Sequence, residues 1–246
     1  MADRFAFEDS RAEFEATPWS MLEALRGGDE ALAARVESRL AMMYWPAIFA
    51  CLRRQGRNRH DAAEITQDFF VNVVLGRGII RSAVKEKGRL RSLIRVALRN
   101  YCIDRVRHMK RLDRMVTLSE DQIDREERLL TEETAADAEA AFDRRWALSM
   151  VEAALDRAEA HFRRAGKSRH WELYDATTLR RATRNVRSPR IEDLARDLGF
   201  ASAGDARAAL QVVRERVQAI VAATVAEHCG QERLEEELQT IREMLQ

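Results

Sequence analysis

Apolar residues recur at steps of three and four along most of this chain, the spacing that gives a helix one buried face. Thr17-Pro18 suits a helix start, with proline pre-set for the first turn, and Trp19, Leu22 and Leu25 follow before Gly27-Gly28. A longer stripe runs through Leu32, Val36, Leu40, Met43, Tyr44, Ile48 and Leu52 to Gly56, with Pro46 expected to kink it. Asn58 can cap a third helix carrying Ala63, Ile65, Phe69, Phe70, Val73 and Val74, stopped at Gly76 and Gly78. A fourth holds Leu90, Leu93, Ile94, Ala97, Leu98 and Tyr101. The pattern then fades and returns at Trp146, Leu148, Val151, Leu155, Ala158 and Phe162, ending at Gly166. Trp171, Leu173, Tyr174 and Leu179 mark a short helix. Ser188-Pro189 opens another, with Ile191, Leu194, Ala195 and Leu198 ahead of Gly199, and Ala206, Ala209, Leu210, Val213, Val217 and Ile220 mark a longer one. Helix, glycine-containing turn, helix is the outline of a helix-turn-helix, shared with any two-helix hairpin.

No alternating Val/Ile/Thr run occurs, and only three prolines and ten glycines interrupt 246 residues. The predicted class is all-α, with two small helical domains joined by an acidic linker. The expected boundaries are a four-helix domain over 17–112, a linker over 113–143, a helix-turn-helix domain over 144–228 and a charged terminal helix over 229–246. That last helix has a thin stripe of Leu234, Leu238, Ile241 and Leu245. It suits packing back on the second domain, with an added regulatory device as the alternative.

Charge changes this picture, because the formal net of +1 hides a segregation. Lys85 to Arg114 holds eleven Lys/Arg against three Asp/Glu, a net of +8. Asp113 to Asp143 holds eleven acidic residues against three Arg. Arg91, Arg95 and Arg99 fall four apart, on a different helix face from the apolar one. Such a helix is built to bury one side and meet a polyanion with the other, nucleic acid being the default partner. The third helix carries Asp61, Glu64, Gln67, Asp68 and Asn72 on its polar side. An acidic patch beside a basic helix suits two different partners, or an ordinary solvated face.

Cys51, Cys102 and Cys229 form no Cys-x-x-Cys pair and suit a reducing cytosol as core or incidental thiols. The N-terminus has no positive-then-apolar leader layout, and no apolar run approaches membrane length, so a cytoplasmic protein with no membrane partner is expected. His60-Asp61 with Glu64 has a metal-like spacing, but His108, His161, His170 and His228 stand in no partnered motif, so a helix first turn is the better reading. Gly76-Arg77-Gly78 lacks the later glycine of a dinucleotide loop. No nucleophile pattern appears, and the expectation is a non-enzyme without metal or cofactor.

The segment Asp61-Ala-Ala-Glu64-Ile65-Thr66-Gln67-Asp68-Phe69-Phe70 resembles region 2.2 of bacterial sigma factors of the extracytoplasmic-function type. Lys87-Gly88-Arg89-Leu90-Arg91-Ser92-Leu93 resembles the start of their promoter-reading helix. Arg144-Arg145-Trp146-Ala147-Leu148 is similar to the start of the second domain in a planctomycete-like subgroup. The resemblance extends from about Trp19 to the C-terminus, and the order and spacing of the motifs make it specific. It implies a sigma domain 2-like first domain and a sigma domain 4-like second domain. It also implies binding to core RNA polymerase through the largest subunits, and promoter recognition and opening in transcription initiation. Asp61, Glu64, Gln67 and Asp68 match polymerase-docking positions. Lys87, Arg89, Arg95, Arg99, Asn100, Arg105 and Arg107 match positions facing the promoter −10 element. The free protein is expected to be a monomer, and a regulatory or anti-sigma partner stays open.

Opening a duplex costs stacking energy, which base capture offsets by ~1–3 kcal/mol per base. Phosphate contacts add a salt-dependent grip without sequence information. The acidic linker would lie in a basic polymerase channel, or serve as a solvated tether. For the −35 element the matching positions are Arg207, Gln211 and Arg214. Here the chain departs from the family: the turn Gly199 to Asp205 is about one residue longer, and Val212 and Glu215 stand where arginine is usual. A bidentate arginine–guanine contact is worth ~1–3 kcal/mol, so −35 reading would be weak, altered or shared with a partner. That departure supports the alternative of a sigma-like regulator or polymerase adaptor.

Overall fold

The computed structural model describes residues 30–75, 90–113, 132–180 and 189–245. Regular structure among them is helical throughout. The expected helix at Trp19–Leu25, the stops Gly76 and Gly78, the loop holding Lys87 and Arg89, and the first part of the linker lie outside the described residues. The α-helices are α1 (Glu30–Arg54), α2 (Arg59–Phe69), α3 (Leu90–Asp113), α4 (Glu132–Arg164), α5 (Ser168–Tyr174), α6 (Ile191–Asp197), α7 (Ala203–Cys229) and α8 (Leu234–Leu245). Among the described residues no helix is long and apolar enough to cross a membrane.

Local chemistry sets the turns. Helix α1 continues through Pro46 and ends at a glycine with φ +94°, where the Gly56 and Arg57 amides donate to the Arg53 and Leu52 carbonyls. That left-handed position suits glycine, which has no Cβ to clash. Asn58 caps α2: its Oδ1 accepts from the Asp61 amide at 2.9 Å. α2 runs on as a wider π-helical turn, Phe70–Leu75, that keeps Phe70, Val73 and Val74 buried and leaves Val71 and Asn72 exposed. α6 closes at Gly199, φ +69°, where the Gly199 and Phe200 amides reach the Arg196 and Ala195 carbonyls. Ser202 caps α7, its hydroxyl accepting from the Asp205 amide at 3.1 Å.

Two compact units result, residues 1–149 with 225–246, and residues 150–224. In the first, Tyr44, Ile48 and Leu52 of α1, Ile65 and Phe69 of α2, and Leu90, Ile94 and Leu98 of α3 are almost fully buried. The apolar stripes expected in these helices therefore mostly face one core, but Leu93, expected in the α3 stripe, is exposed at its edge. In the second, Ala154, Ala158 and Phe162 of α4 are buried, as are Trp171, Leu173, Ala195, Ala206, Val213 and Ile220.

This division differs from the expected domain boundaries in two places. Residues 132–143, expected as linker, form the first turns of α4, and Ala138 and Phe142 are 1% and 0% exposed in the first unit. They extend the Trp146 stripe backward in steps of four, a row too narrow to stand out among the surrounding acids. The terminal helix α8, expected against the second domain, belongs to the first unit, with Glu237 and Ile241 buried.

Replacing Phe142 by alanine is expected to cost ~3–5 kcal/mol of unfolding free energy, as for a buried phenylalanine. Urea denaturation checks this. A change within about 0.5 kcal/mol, as for a solvated linker residue, would refute its place in the core.

Candidate functional site

Capping fixes the start of the acidic face of α2. The Asn58 amide nitrogen donates to the Asp61 carboxylate at 2.7 Å while the Asp61 amide returns to Asn58, so Asp61 is partly engaged in starting its own helix. One turn on, Glu64 is exposed and lies 3.9 Å from the exposed His60 imidazole. Gln67 is exposed and Asp68 is half-exposed. Opposite them Ala62, Ile65, Thr66 and Phe69 are buried, so helical phase leaves these four polar side chains on the outer side. Among the described residues no group of three His, Cys, Asp or Glu side chains is placed to hold a metal ion.

The basic stripe of α3 is graded. Arg91 is 7% exposed, its guanidinium 4.6 Å from the centre of the Trp146 ring. Its Nη2 lies 3.1 Å from Glu237 Oε1, and its Nε 3.7 Å from Asp143 Oδ1. Arg95, one turn on, is expected at the nucleic-acid face. It donates instead to Asp143 at 2.8 Å and lies 3.6 Å from Glu139. Two carboxylates of α4 thus cancel its charge and would repel a phosphate. A further turn on, Arg99 and Asn100 are exposed. Arg107 is exposed, 3.3 Å from its helix neighbour Asp104. Arg105 is half-exposed and 4.0 Å from Asp68, which brings the end of the basic face against the edge of the acidic one. Leu93 and Val96 are also exposed on α3, at 36% and 56%. Outward-facing α3 is therefore a mixed apolar and cationic surface.

Burial pushes the Cys51 thiol up to about 12, which keeps it protonated and a poor nucleophile near neutral pH. Burial likewise pushes up the Tyr44 phenol, an effect that the neighbouring Trp146 indole and Arg91 reduce. Burial raises the Tyr101 phenol too, with Asp68 nearby adding to the shift.

In the second unit the expected −35 positions all lie on the exposed side of α7, and two of them are engaged. Arg207 donates to Glu192 of α6 at 2.7 Å. Gln211 donates to Glu215 at 2.8 Å. Arg214 is exposed, and its charge lowers the Tyr174 phenol against a larger upward effect of burial. Val212 is 49% exposed. An exposed ion pair such as Arg207–Glu192 is worth ~0–1 kcal/mol, so a phosphate could displace it at small cost.

Arg91 was expected on the outward stripe with Arg95 and Arg99; it is buried instead, an anchor whose place depends on α4 and α8 arriving from distant sequence. Comparison with protein-family models, with curated proteins and with solved structures finds no match.

Removing one partner of the buried pair leaves a charge in a low-dielectric interior. Glu237→Ala is expected to destabilise the protein by ~3–5 kcal/mol, whereas replacing Arg91 and Glu237 together by methionine is expected to be near neutral or stabilising. Denaturant midpoints of the two variants test this. Equal losses in both would show that the cluster acts by shape and not by charge.

Proposed function

We propose that the chain is a promoter-specificity factor of the sigma type, which binds core RNA polymerase and directs promoter recognition and opening without chemistry of its own. The observation that carries this reading is the pair of exposed, oppositely charged faces on consecutive helices. Glu64, Gln67 and Asp68 of α2 stand on one, and Arg99, Asn100 and Arg107 of α3 on the other. A carboxylate face suits a basic protein partner, and a cationic face with exposed apolar side chains suits an unpaired strand, whose phosphates need charge and whose bases need apolar contact. The motif resemblance assigns the same two partners, polymerase and the −10 element, to the same two helices. Arg105 and Asp68, at the shared edge, couple the two faces.

A second reading, a sigma-like adaptor that needs another protein at the promoter, is favoured by the exposed side of α7. There Arg207 and Gln211 hydrogen-bond carboxylates, and Val212 and Glu215 offer nothing to guanine. Multi-round transcription with core polymerase on a library of promoter-like sequences separates the two. Protein-dependent transcripts sharing an upstream motif support the first, and stable co-elution without transcripts supports the second.

Glu64→Arg with Asp68→Arg is expected to abolish co-elution with core polymerase while circular dichroism stays unchanged. Retained co-elution would reject the docking face. Arg99→Ala with Arg107→Ala is expected to weaken DNA binding and reduce the slope of log affinity against log salt by about 1 to 2, and an unchanged slope would argue against phosphate contact on α3.

A further inference from the structure

A concentration of positive charge lies in the second unit, away from the positions that the motif resemblance picks out. Between Ala160 and Trp171 the chain has four Lys/Arg, two His and no Asp or Glu. These residues form the end of α4, the turn at Gly166 and the start of α5. Arg163, Arg164, Lys167 and Arg169 are all exposed. Arg163 pairs with Glu159 one turn back. Among the described residues Lys167, Arg169 and Arg216 have no carboxylate partner.

The cations stand on a braced platform. His161 accepts from Arg216 of α7 at 3.2 Å. His161 meets the Phe162 ring edge-on at 5.3 Å, and Phe162 stacks with His170 at 6.4 Å. His170 meets Phe200 at 5.6 Å, and Arg169 lies 4.8 Å over that ring while donating to the Gly199 carbonyl at 2.9 Å. Burial, then Arg216, Arg164 and Lys167, lowers the His161 imidazole. Burial, then Lys167 and Arg169, lowers that of His170. Lys167 thus lies near both histidines, with Arg164 and Arg216 beside His161 and Arg169 beside His170.

We infer that the α4–α5 turn of the second unit is a polyanion-binding surface that grips the phosphate backbone of duplex nucleic acid. The Arg169 fork stacked on Phe200 suits phosphate oxygens, which take planar donors without reading sequence. An acidic protein is the lesser fit. A protein interface places apolar groups at its centre and disfavours lysine, and here Phe162 and Trp171 are buried beneath an exposed rim of cations. This grip would add to whatever contacts α7 supplies. The identity of the polyanion as duplex DNA rests on the sigma-type reading.

The test uses the full chain and a short random-sequence duplex across a salt series. Arg164→Gln with Lys167→Gln is expected to lower the salt slope by about 2, one phosphate contact for each charge, without touching the Arg169–Phe200 contact. Arg99→Ala with Arg107→Ala is measured in parallel. A slope that falls for the α3 pair and not for the turn pair overturns this inference and leaves the sigma-type reading intact. A slope that falls for the turn pair alone supports it and counts against the −10 assignment. Polyglutamate binding that the turn pair abolishes, with duplex binding unchanged, overturns it in favour of an acidic protein.

Discussion

The first unit depends on how a buried guanidinium is satisfied. Arg91 lies against the face of Trp146 with Glu237 and Asp143 beside it, and its Nη1 also reaches the Met244 sulfur at 3.7 Å. A desolvated cation over an indole is worth about 2 kcal/mol or more, but removing that charge from water costs several. The contact survives only with carboxylates in place. Those carboxylates come from α4 and α8, so a single side chain of α3 demands the arrival of two helices from later in the chain. Arg95 with Glu139 and Asp143, and Arg54 with Asp137 at 2.7 Å, repeat the pairing toward the surface.

This pairing decides which charges are left for a partner. The acidic stretch before Trp146 is, in its described part, the counter-charge of the basic helix. It neutralises the inner end of the arginine stripe and leaves the outer end exposed. A polyanion approaching α3 meets Arg99, Asn100 and Arg107 beside Leu93 and Val96, and not a continuous basic ridge. The second unit follows a similar logic. Carboxylates of α6 and α7 engage two of the side chains expected to read bases, Arg207 and Gln211, while Lys167 and Arg169 of the α4–α5 turn have no carboxylate partner among the described residues.

Helix content among the described residues, the turn glycines Gly56, Gly166 and Gly199, and the Asn58 cap were legible in the sequence, because each is settled by neighbours within a few residues. So was the exposed acidic side of α2, which follows from helical phase. The expected separation of a linker from the domains was not. A row of Ala138, Phe142 and Trp146 with carboxylates on both flanks reads as solvated until a surface is there to cover it. Likewise the thin stripe of α8 has the same pattern whichever core it meets.

The sequence by itself therefore determined the helices of the described residues, their segregated charge and most of their buried apolar positions, since periodicity and capping act over one or two turns. Only the tertiary structure decided that Arg91 is an anchor, that Arg95 is neutralised, and that α8 belongs to the first unit. Those outcomes depend on carboxylates at positions 139, 143 and 237 reaching arginines at 91 and 95. Charge complementarity between residues so far apart is invisible until packing brings them within a few ångströms.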